Sequence, residues 1–271
     1  MTITRAVPAS DMSLVKRIKL PSNYSNIQLY VADGRLTILA NRWNNNYVYN
    51  PTPVSIGNGS VTVVVIYDIV DPTAPRLDRM YTVNGDLSQS RREGNYLYVL
   101  SQNYLSLNTW GPIGMYARED INAFMDKKFD AKTLLPQTID IKYNTTQQNQ
   151  MMQGSTKIPY SMNRAQVKCN EIEYILPEKP QNLSFLTLSV IPLSGNADIT
   201  RKVIYGDAAQ FFMSRDSFYI VGNYWKQGGN FSCPPNARCI MPVFRSEQNS
   251  LVHRFSAKQG KVEYAYSTIV P

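Results

Sequence analysis

A short strand-like phrase occurs three times along this chain, and it limits the fold more than any other feature. The copies read "DGRLTILANR" (33–42), "GNYLYVLSQN" (94–103) and "RDSFYIVGNY" (215–224). Each begins with turn-forming residues and continues into an apolar run that is typical of a buried strand. The central residues Leu36 and Leu97 are 61 positions apart, and Phe218 follows Leu97 after 121, about twice that interval. The chain is therefore built from repeated units.

Each copy is the second strand of a four-stranded unit. A strand-like run precedes it, and a strand, a polar turn and an outer strand with alternating charge follow it. The units run approximately over 25–85, 86–206 and 207–271, and residues 13–23 resemble an isolated last strand of a preceding unit. Four-stranded antiparallel units joined head to tail predict an all-β fold, a β-propeller of about three blades plus one N-terminal strand.

The doubled interval between the second and third copies is explained by an insertion at 104–184. Within it, residues 118–129 have the apolar spacing of a helix, so we expect a long, partly helical insertion in the second blade. The alternative is a degenerate fourth blade hidden in this region.

A propeller ring needs about four to eight blades, so three blades predict an incomplete ring with apolar flanks. The expected partners are the remaining blades of a longer chain or another copy of this one.

The net charge of +8 has two interpretations. It keeps a solvated surface soluble, or it attracts an anionic polymer such as a cell-wall polymer. No nucleic-acid motif is present, so nucleic acid is not a favoured partner. No apolar run reaches the ~18 residues of a membrane span, and residues 1–13 lack the apolar core of a signal peptide. Membrane attachment would need an anchor outside this sequence.

The three cysteines suggest an oxidising compartment. Cys233 and Cys239 are separated by five residues that include Pro234 and Pro235, which stiffen a turn between them. We expect a short-loop disulfide and an extracytoplasmic location, with two reduced thiols as the alternative. Cys169 is expected to be a small buried hydrophobe, or to pair with a segment absent from this chain.

No catalytic, cofactor-binding or metal-binding residues are predicted. The single histidine, His253, falls in a strand and is interpreted as structural, and no common hydrolase or phosphate-binding motif occurs. Glu171 and Glu173 are two residues apart and are expected to share a strand face, either as paired acids or metal ligands, or as two exposed carboxylates, which is the commoner case.

Arg91 and Arg92 form a candidate anion contact. They end a polar first strand, "LSQSRRE", which would line the central channel of a propeller. A guanidinium group suits carboxylate and phosphate, so these side chains would bind an anionic group near the channel mouth. The alternative is hydrogen bonding between blades or to water in the channel.

The chain resembles a known family. The hairpin "SRREGNYLYVLSQN", the stretches "CNEIEYILPE" and "NFSCPPNARCI", and the less specific turn "YDIVDPTAPRL" are similar to those of secreted bacterial and archaeal β-propeller-domain proteins. That family is distantly related to WD40 propellers, and the similarity is greatest to members from candidate-phylum bacteria. The resemblance implies an extracellular or cell-surface location and further blades beyond this chain. It implies no catalytic residues.

These observations predict a non-catalytic extracellular or cell-surface propeller that acts as a binding or scaffold module. The long loop of the second blade and the cysteine-bearing loop would form its recognition surface. One alternative is a propeller-based hydrolase of peptides or glycans whose catalytic groups lie largely outside this chain. Another alternative is electrostatic binding of an anionic polymer, which salt would weaken steeply.

Overall fold

Three four-stranded antiparallel blades make up most of the structure, which confirms the predicted fold class. The computed structural model describes residues 1–44, 59–104, 135–143, 160–174, 184–206, 210–214, 216–226 and 247–271. Within these ranges the regular structure is β-strand, with two 3₁₀ turns at Ala9–Asp11 and Cys169–Glu171. No helix among these residues is long and apolar enough to cross a membrane.

The first blade follows a small N-terminal hairpin. The strands are Thr2–Arg5 (β1), Ser13–Arg17 (β2), Tyr24–Ala32 (β3), Arg35–Asn44 (β4), Gly59–Asp68 (β5) and Arg76–Asn84 (β6). The strands β3 to β6 pair in sequence order. In β5, the run of β-branched residues is buried on both faces, because a blade packs against neighbours on both sides. Asp33 and Gly34 join β3 to β4 with φ values of 53° and 66°, which a two-residue hairpin turn requires.

The second and third blades repeat this arrangement. The second contains Asp86–Glu93 (β7), Tyr96–Tyr104 (β8), Ser184–Pro192 (β12) and Thr200–Tyr205 (β13). The third contains Gln210–Met213 (β14), Ser217–Lys226 (β15), Glu247–Lys258 (β16) and Lys261–Val270 (β17). All neighbours within these two blades are antiparallel.

The insertion of the second blade supplies strands to two blades. Its described strands are Gln137–Tyr143 (β9), Tyr160–Gln166 (β10) and Ile172–Tyr174 (β11). β9 pairs with β6 and β10 pairs with β9, so this hairpin widens the first blade to six strands. β11 pairs in parallel with β13. The alternative of a hidden fourth blade is therefore wrong for these three strands, because they join existing sheets. The helix predicted at 118–129 lies outside the described residues.

The strand predicted within 13–23 is present as β2, and its described partner is β1. The amino terminus of Met1 donates to the carbonyl of Ile18 over 3.1 Å, which fixes the two ends of this hairpin. Apolar residues of the N-terminal segment pack against the face of the first blade that points away from the second. This cluster includes Met1, Ile3, Ile18, Ile38, Val63 and Ile141.

Apolar clusters between the blades form the core. The cluster between the first two blades contains Leu39, Val64, Ile66, Tyr81, Val83, Leu87, Leu97, Val99, Ile191 and Leu193. The cluster between the second and third blades contains Tyr98, Leu100, Leu186, Leu188, Val190, Ile204, Phe218, Ile220, Phe255, Ala257 and Val262. The Phe218 and Phe255 rings stack with their centroids 4.7 Å apart. Burial of these side chains is the main force that holds the blades face to face.

The short turns of the three blades lie at one end of the structure. Arg92, near the β7–β8 turn, donates to Asp33 in the β3–β4 turn. Gly260, in the β16–β17 turn, lies against the ring of Tyr96 at the start of β8. We call this the turn end.

The long connections leave from the opposite end, which we call the loop end. The second strands of the blades finish there, at Asn44, Tyr104 and Lys226. Connections 45–58, 105–183 and 227–246 follow these strands. The common direction of β4, β8 and β15 therefore brings the start of all three connections to one side of the fold.

Candidate functional site

A polar crevice between the outer parts of the first two blades is a candidate site formed by the described residues. Its volume is about 360 Å³. One wall comes from the six-stranded first blade, the other comes from β13 and the turn before it, and Glu171 closes one side. The inserted hairpin β9–β10 deepens the crevice, because it extends the first blade outward beyond β6.

The first wall is a row of side chains across three strands. Tyr81 on β6 pairs in register with Asp140 on β9, which pairs with Asn163 on β10. Side chains at paired positions point to the same face, so these three groups line the crevice together. Arg79, also on β6, holds Asp140 with two parallel bonds, Nε to Oδ1 at 2.8 Å and Nη2 to Oδ2 at 2.7 Å.

Arg79 also ties the two walls together. Its Nη1 donates to the carbonyl of Ala197 in the β12–β13 turn over 3.0 Å. The Arg79 and Asp140 side chains are only 4% and 13% exposed, so this ion pair is removed from solvent. A two-point bond between a guanidinium and a carboxylate fixes the angle between the groups as well as their distance.

Arg201 forms the centre of the second wall. Its Nη1 donates to Thr138 Oγ1 over 2.8 Å, and its Nη2 donates to Glu171 Oε2 over 3.3 Å. The same Glu171 oxygen accepts the backbone N–H of Lys168 over 3.1 Å. This backbone hydrogen bond, reinforced by Arg201, lowers the pKa of Glu171 below its usual value. Glu171 is therefore a carboxylate at neutral pH.

At the inner end of the crevice, two uncharged side chains form a hydrogen bond. The Tyr81 hydroxyl lies 2.9 Å from Ser189 Oγ on β12. Burial raises the pKa of Tyr81 to about 12. The phenol therefore keeps its proton at physiological pH and contributes a hydrogen-bonding group rather than a base.

Asp198 lies at the outer rim. Lys142 Nζ donates to Asp198 Oδ1 and to the carbonyl of Asn196, each over 2.9 Å. The Lys142 hydrogen bond holds the pKa of Asp198 below its usual value. Because the Asp198 side chain is 91% exposed, this pair orients the rim and adds little stability.

The two arginines of the predicted anion contact lie in different environments. Arg92 donates to Asp33 of the first blade and to the carbonyl of Gly94, so it takes part in hydrogen bonding between blades. Arg91 is exposed on the same strand. The anion contact at Arg91 and Arg92 stays a prediction.

His253 lies in β16 and is 1% exposed. Its Nδ1 is 2.6 Å from Ser267 Oγ on β17, and the Tyr264 hydroxyl donates to the same serine oxygen over 2.8 Å. Burial lowers the pKa of His253 to about 4, so the imidazole is neutral at pH 7.

Two expectations for the Cys169 region are wrong. Cys169 is an exposed free thiol, because it begins a 3₁₀ turn at the surface instead of a buried strand. Glu171 ends that turn and only Glu173 lies in β11, so the two carboxylates do not share a strand face. They bind different partners, since Glu173 accepts from Lys202 over 2.6 Å. Cys233 and Cys239 lie outside the described residues.

Sequence reasoning missed the crevice altogether. Arg79 and Asp140 are 61 residues apart, and neither belongs to a recognisable motif. Alternation in "QTIDIKYN" indicates that Asp140 is in a strand, yet it gives no information about the strand beside it. Within the described ranges, no group of three or more His, Cys, Asp or Glu side chains is placed to hold a metal ion.

Four-stranded antiparallel blades, stacked through apolar faces, define this chain as a β-propeller protein. The beta propeller domain family matches residues 1–271, and the chain belongs to that family. The predicted membership is thereby confirmed, whereas the secreted location and the similarity to candidate-phylum bacteria stay predictions. No curated protein matches the chain.

Proposed function

We propose that this chain is a non-catalytic binding or scaffold module that works at the cell surface or outside the cell. The observation that carries the proposal is the way in which the connections between strands are distributed between the two ends of the blades. Tight turns join the strands of each blade at one end, where the connection 144–159 of the inserted hairpin also begins. The three long connections after the second strands begin together at the other end. Binding residues are commonly found on loops that a rigid scaffold positions, and stacked blades are such a scaffold.

The experiment replaces a connection and measures binding to the natural surface. In the test variant, residues 45–58 are exchanged for an Asp-Gly turn like the one at Asp33 and Gly34. In the control, the exposed Pro72–Thr73–Ala74 of the β5–β6 turn, at the turn end and outside the crevice, is exchanged for Gly-Ser-Gly. Labelled protein is sedimented with cell-envelope fragments of the source organism. We expect the test variant to lose binding and the control to retain it. No binding by the unchanged chain would overturn the proposal.

The extracytoplasmic location is tested through the cysteines. Alkylation of the native protein without reductant, followed by peptide mass spectrometry, should find Cys233 and Cys239 joined. Cys169 is the internal control, because its exposed thiol should be alkylated. Alkylation of all three residues would contradict the proposed compartment, since disulfides persist mainly in oxidising environments.

We further propose that the outward face of the third blade binds another blade, from a longer chain or a second copy. Phe212, Tyr266 and Val270 are 54%, 46% and 44% exposed on that face. Light scattering that gives a dimer would favour the second copy. If this chain is monomeric and Phe212→Ser with Tyr266→Ser leaves its solubility unchanged, the proposal fails.

A second crevice supports anionic-polymer binding as the alternative function. It lies between the second and third blades, has a volume of about 340 Å³ and is lined by Arg201, Lys202, Lys261 and Glu263 among others. Arg201 and Lys202 are paired with Glu171 and Glu173. The exposed Lys261 is therefore the basic group that would meet a polyanion, in keeping with the net charge of +8. Binding to polyphosphate that weakens steeply with salt and falls on Lys261→Ala would favour this function.

A further inference from the structure

We propose that the crevice between the first two blades binds a neutral polyhydroxylated ligand, the mono- or disaccharide unit of a glycan. This inference rests on the proposed binding function and assigns it a second surface, away from the loop end. Three properties of the crevice carry it: the balance of its charges, the hydrogen-bonding groups left open, and its rigidity and size.

The charges of the crevice are already balanced. Asp140 is paired with Arg79, Asp198 with Lys142, and Glu171 with Arg201. A cationic or anionic ligand would have to displace one of these partners and leave the other without a counter-ion. Where a charge is buried, as at Arg79 and Asp140, that loss is large. The balance therefore favours a ligand without net charge.

Hydroxyl groups can bind without displacing any of these partners. A carboxylate accepts up to about four hydrogen bonds, so Glu171 and Asp198 keep lone pairs for a ligand. Asn163 is exposed beside them, and its amide offers donors and an acceptor together. Polyols present donors and acceptors at adjacent positions, which matches this mixture.

The remaining surface suits the carbon skeleton of a sugar. Ala165 and Ile199 add small apolar areas between the polar groups. The volume of about 360 Å³ is at the low end of the roughly 300–1,000 Å³ usual for ligand sites, which restricts the crevice to a small unit. The two-point Arg79–Asp140 bond and the Tyr81–Ser189 bond hold the walls in place before any ligand arrives. Binding then requires little loss of conformational entropy in the protein.

The experiment uses the intact chain with loops unchanged. Labelled protein is applied to an array of neutral and acidic saccharides, and a neutral disaccharide that binds is then titrated calorimetrically. The test variants are Asn163→Ala and Glu171→Gln. The matched control is Glu263→Gln, an exposed carboxylate at the neighbouring crevice. Circular dichroism confirms that each variant folds.

We expect a neutral saccharide to bind. Asn163→Ala should weaken binding about three- to tenfold, as loss of one hydrogen bond predicts, and Glu171→Gln should weaken it by a similar factor because a charge-assisted bond becomes a neutral one. The control should leave binding unchanged. The proposal is overturned if no neutral saccharide binds, if only acidic saccharides bind, or if Glu263→Gln weakens binding as much as the test variants. The envelope-binding experiment changes no residue that lines this crevice, so failure there and failure here are separate results.

Discussion

The buried histidine makes the stability of the third blade sensitive to acid. His253 is 1% exposed, and burial lowers its pKa to about 4. In the unfolded chain the pKa is about 6.5. As the pH falls below 6.5, the unfolded state takes up a proton that the folded state does not accept until about pH 4. The contribution of His253 to the free energy of unfolding is therefore fully present above pH 6.5. It decreases between pH 6.5 and 4 and does not change further at lower pH.

The size of this loss follows from the two pKa values. A difference of about 2.5 units corresponds to about 3 kcal/mol over the whole interval, and to about 2 kcal/mol at pH 5. The assay is urea unfolding of the native protein and His253→Asn at pH 7.5, 5 and 4. Asparagine keeps a polar group near Ser267 and does not titrate. Carboxylates titrate in both proteins, so the difference between the two free energies of unfolding isolates the histidine.

A second measurement fixes the folded pKa directly. The chain contains one histidine, so its imidazole NMR signal has an unambiguous assignment. The midpoint of that signal should fall near pH 4 in the folded protein. A midpoint near 6.5, together with a free-energy difference that does not change with pH, would refute the reasoning.

Two further predictions concern contacts between blades. Gly260→Ala adds a Cβ 2.3 Å from the Tyr96 ring, whereas Gly195→Ala adds one in open space at nearly the same φ, 79° against 78°. Both should lose about 1–2 kcal/mol from the left-handed backbone, and Gly260→Ala a further ~1–3 kcal/mol from the clash, measured by urea unfolding. Equal losses would contradict the blade contact. Arg79→Met should cost about 3–5 kcal/mol in the same assay, because it leaves a buried carboxylate unpaired, whereas the more exposed Arg35→Met should cost about 1 kcal/mol. A small loss at Arg79 would show that solvent reaches the pair.

The blades could be predicted from the sequence because their signals are local. A hairpin turn such as Asp33–Gly34 and the apolar run after it lie within ten residues of each other, and the phrase is repeated. Each strand also pairs with its neighbour in sequence, apart from the inserted ones.

The crevice could not be predicted, because it depends on pairing between distant segments. The β6–β9 ladder joins Arg79 to Lys142 and Val83 to Thr138, and nothing near either strand indicates the other. The exposure of Cys169 could not be predicted for a different, local reason. The apolar character of this residue is evident from the sequence, but the 3₁₀ turn that exposes it depends on Glu171 bonding back to Lys168.

The inserted hairpin also has a mechanical consequence. The β9–β10 hairpin belongs to the insertion of the second blade, but it pairs with the last strand of the first blade. Backbone hydrogen bonds therefore link these two blades. Among the described strands, the second and third blades share no sheet and meet through side chains. Under a pulling force, parting the first two blades requires that a row of hydrogen bonds be sheared, whereas the third can peel away. The three blades should therefore yield as a linked pair and a single unit.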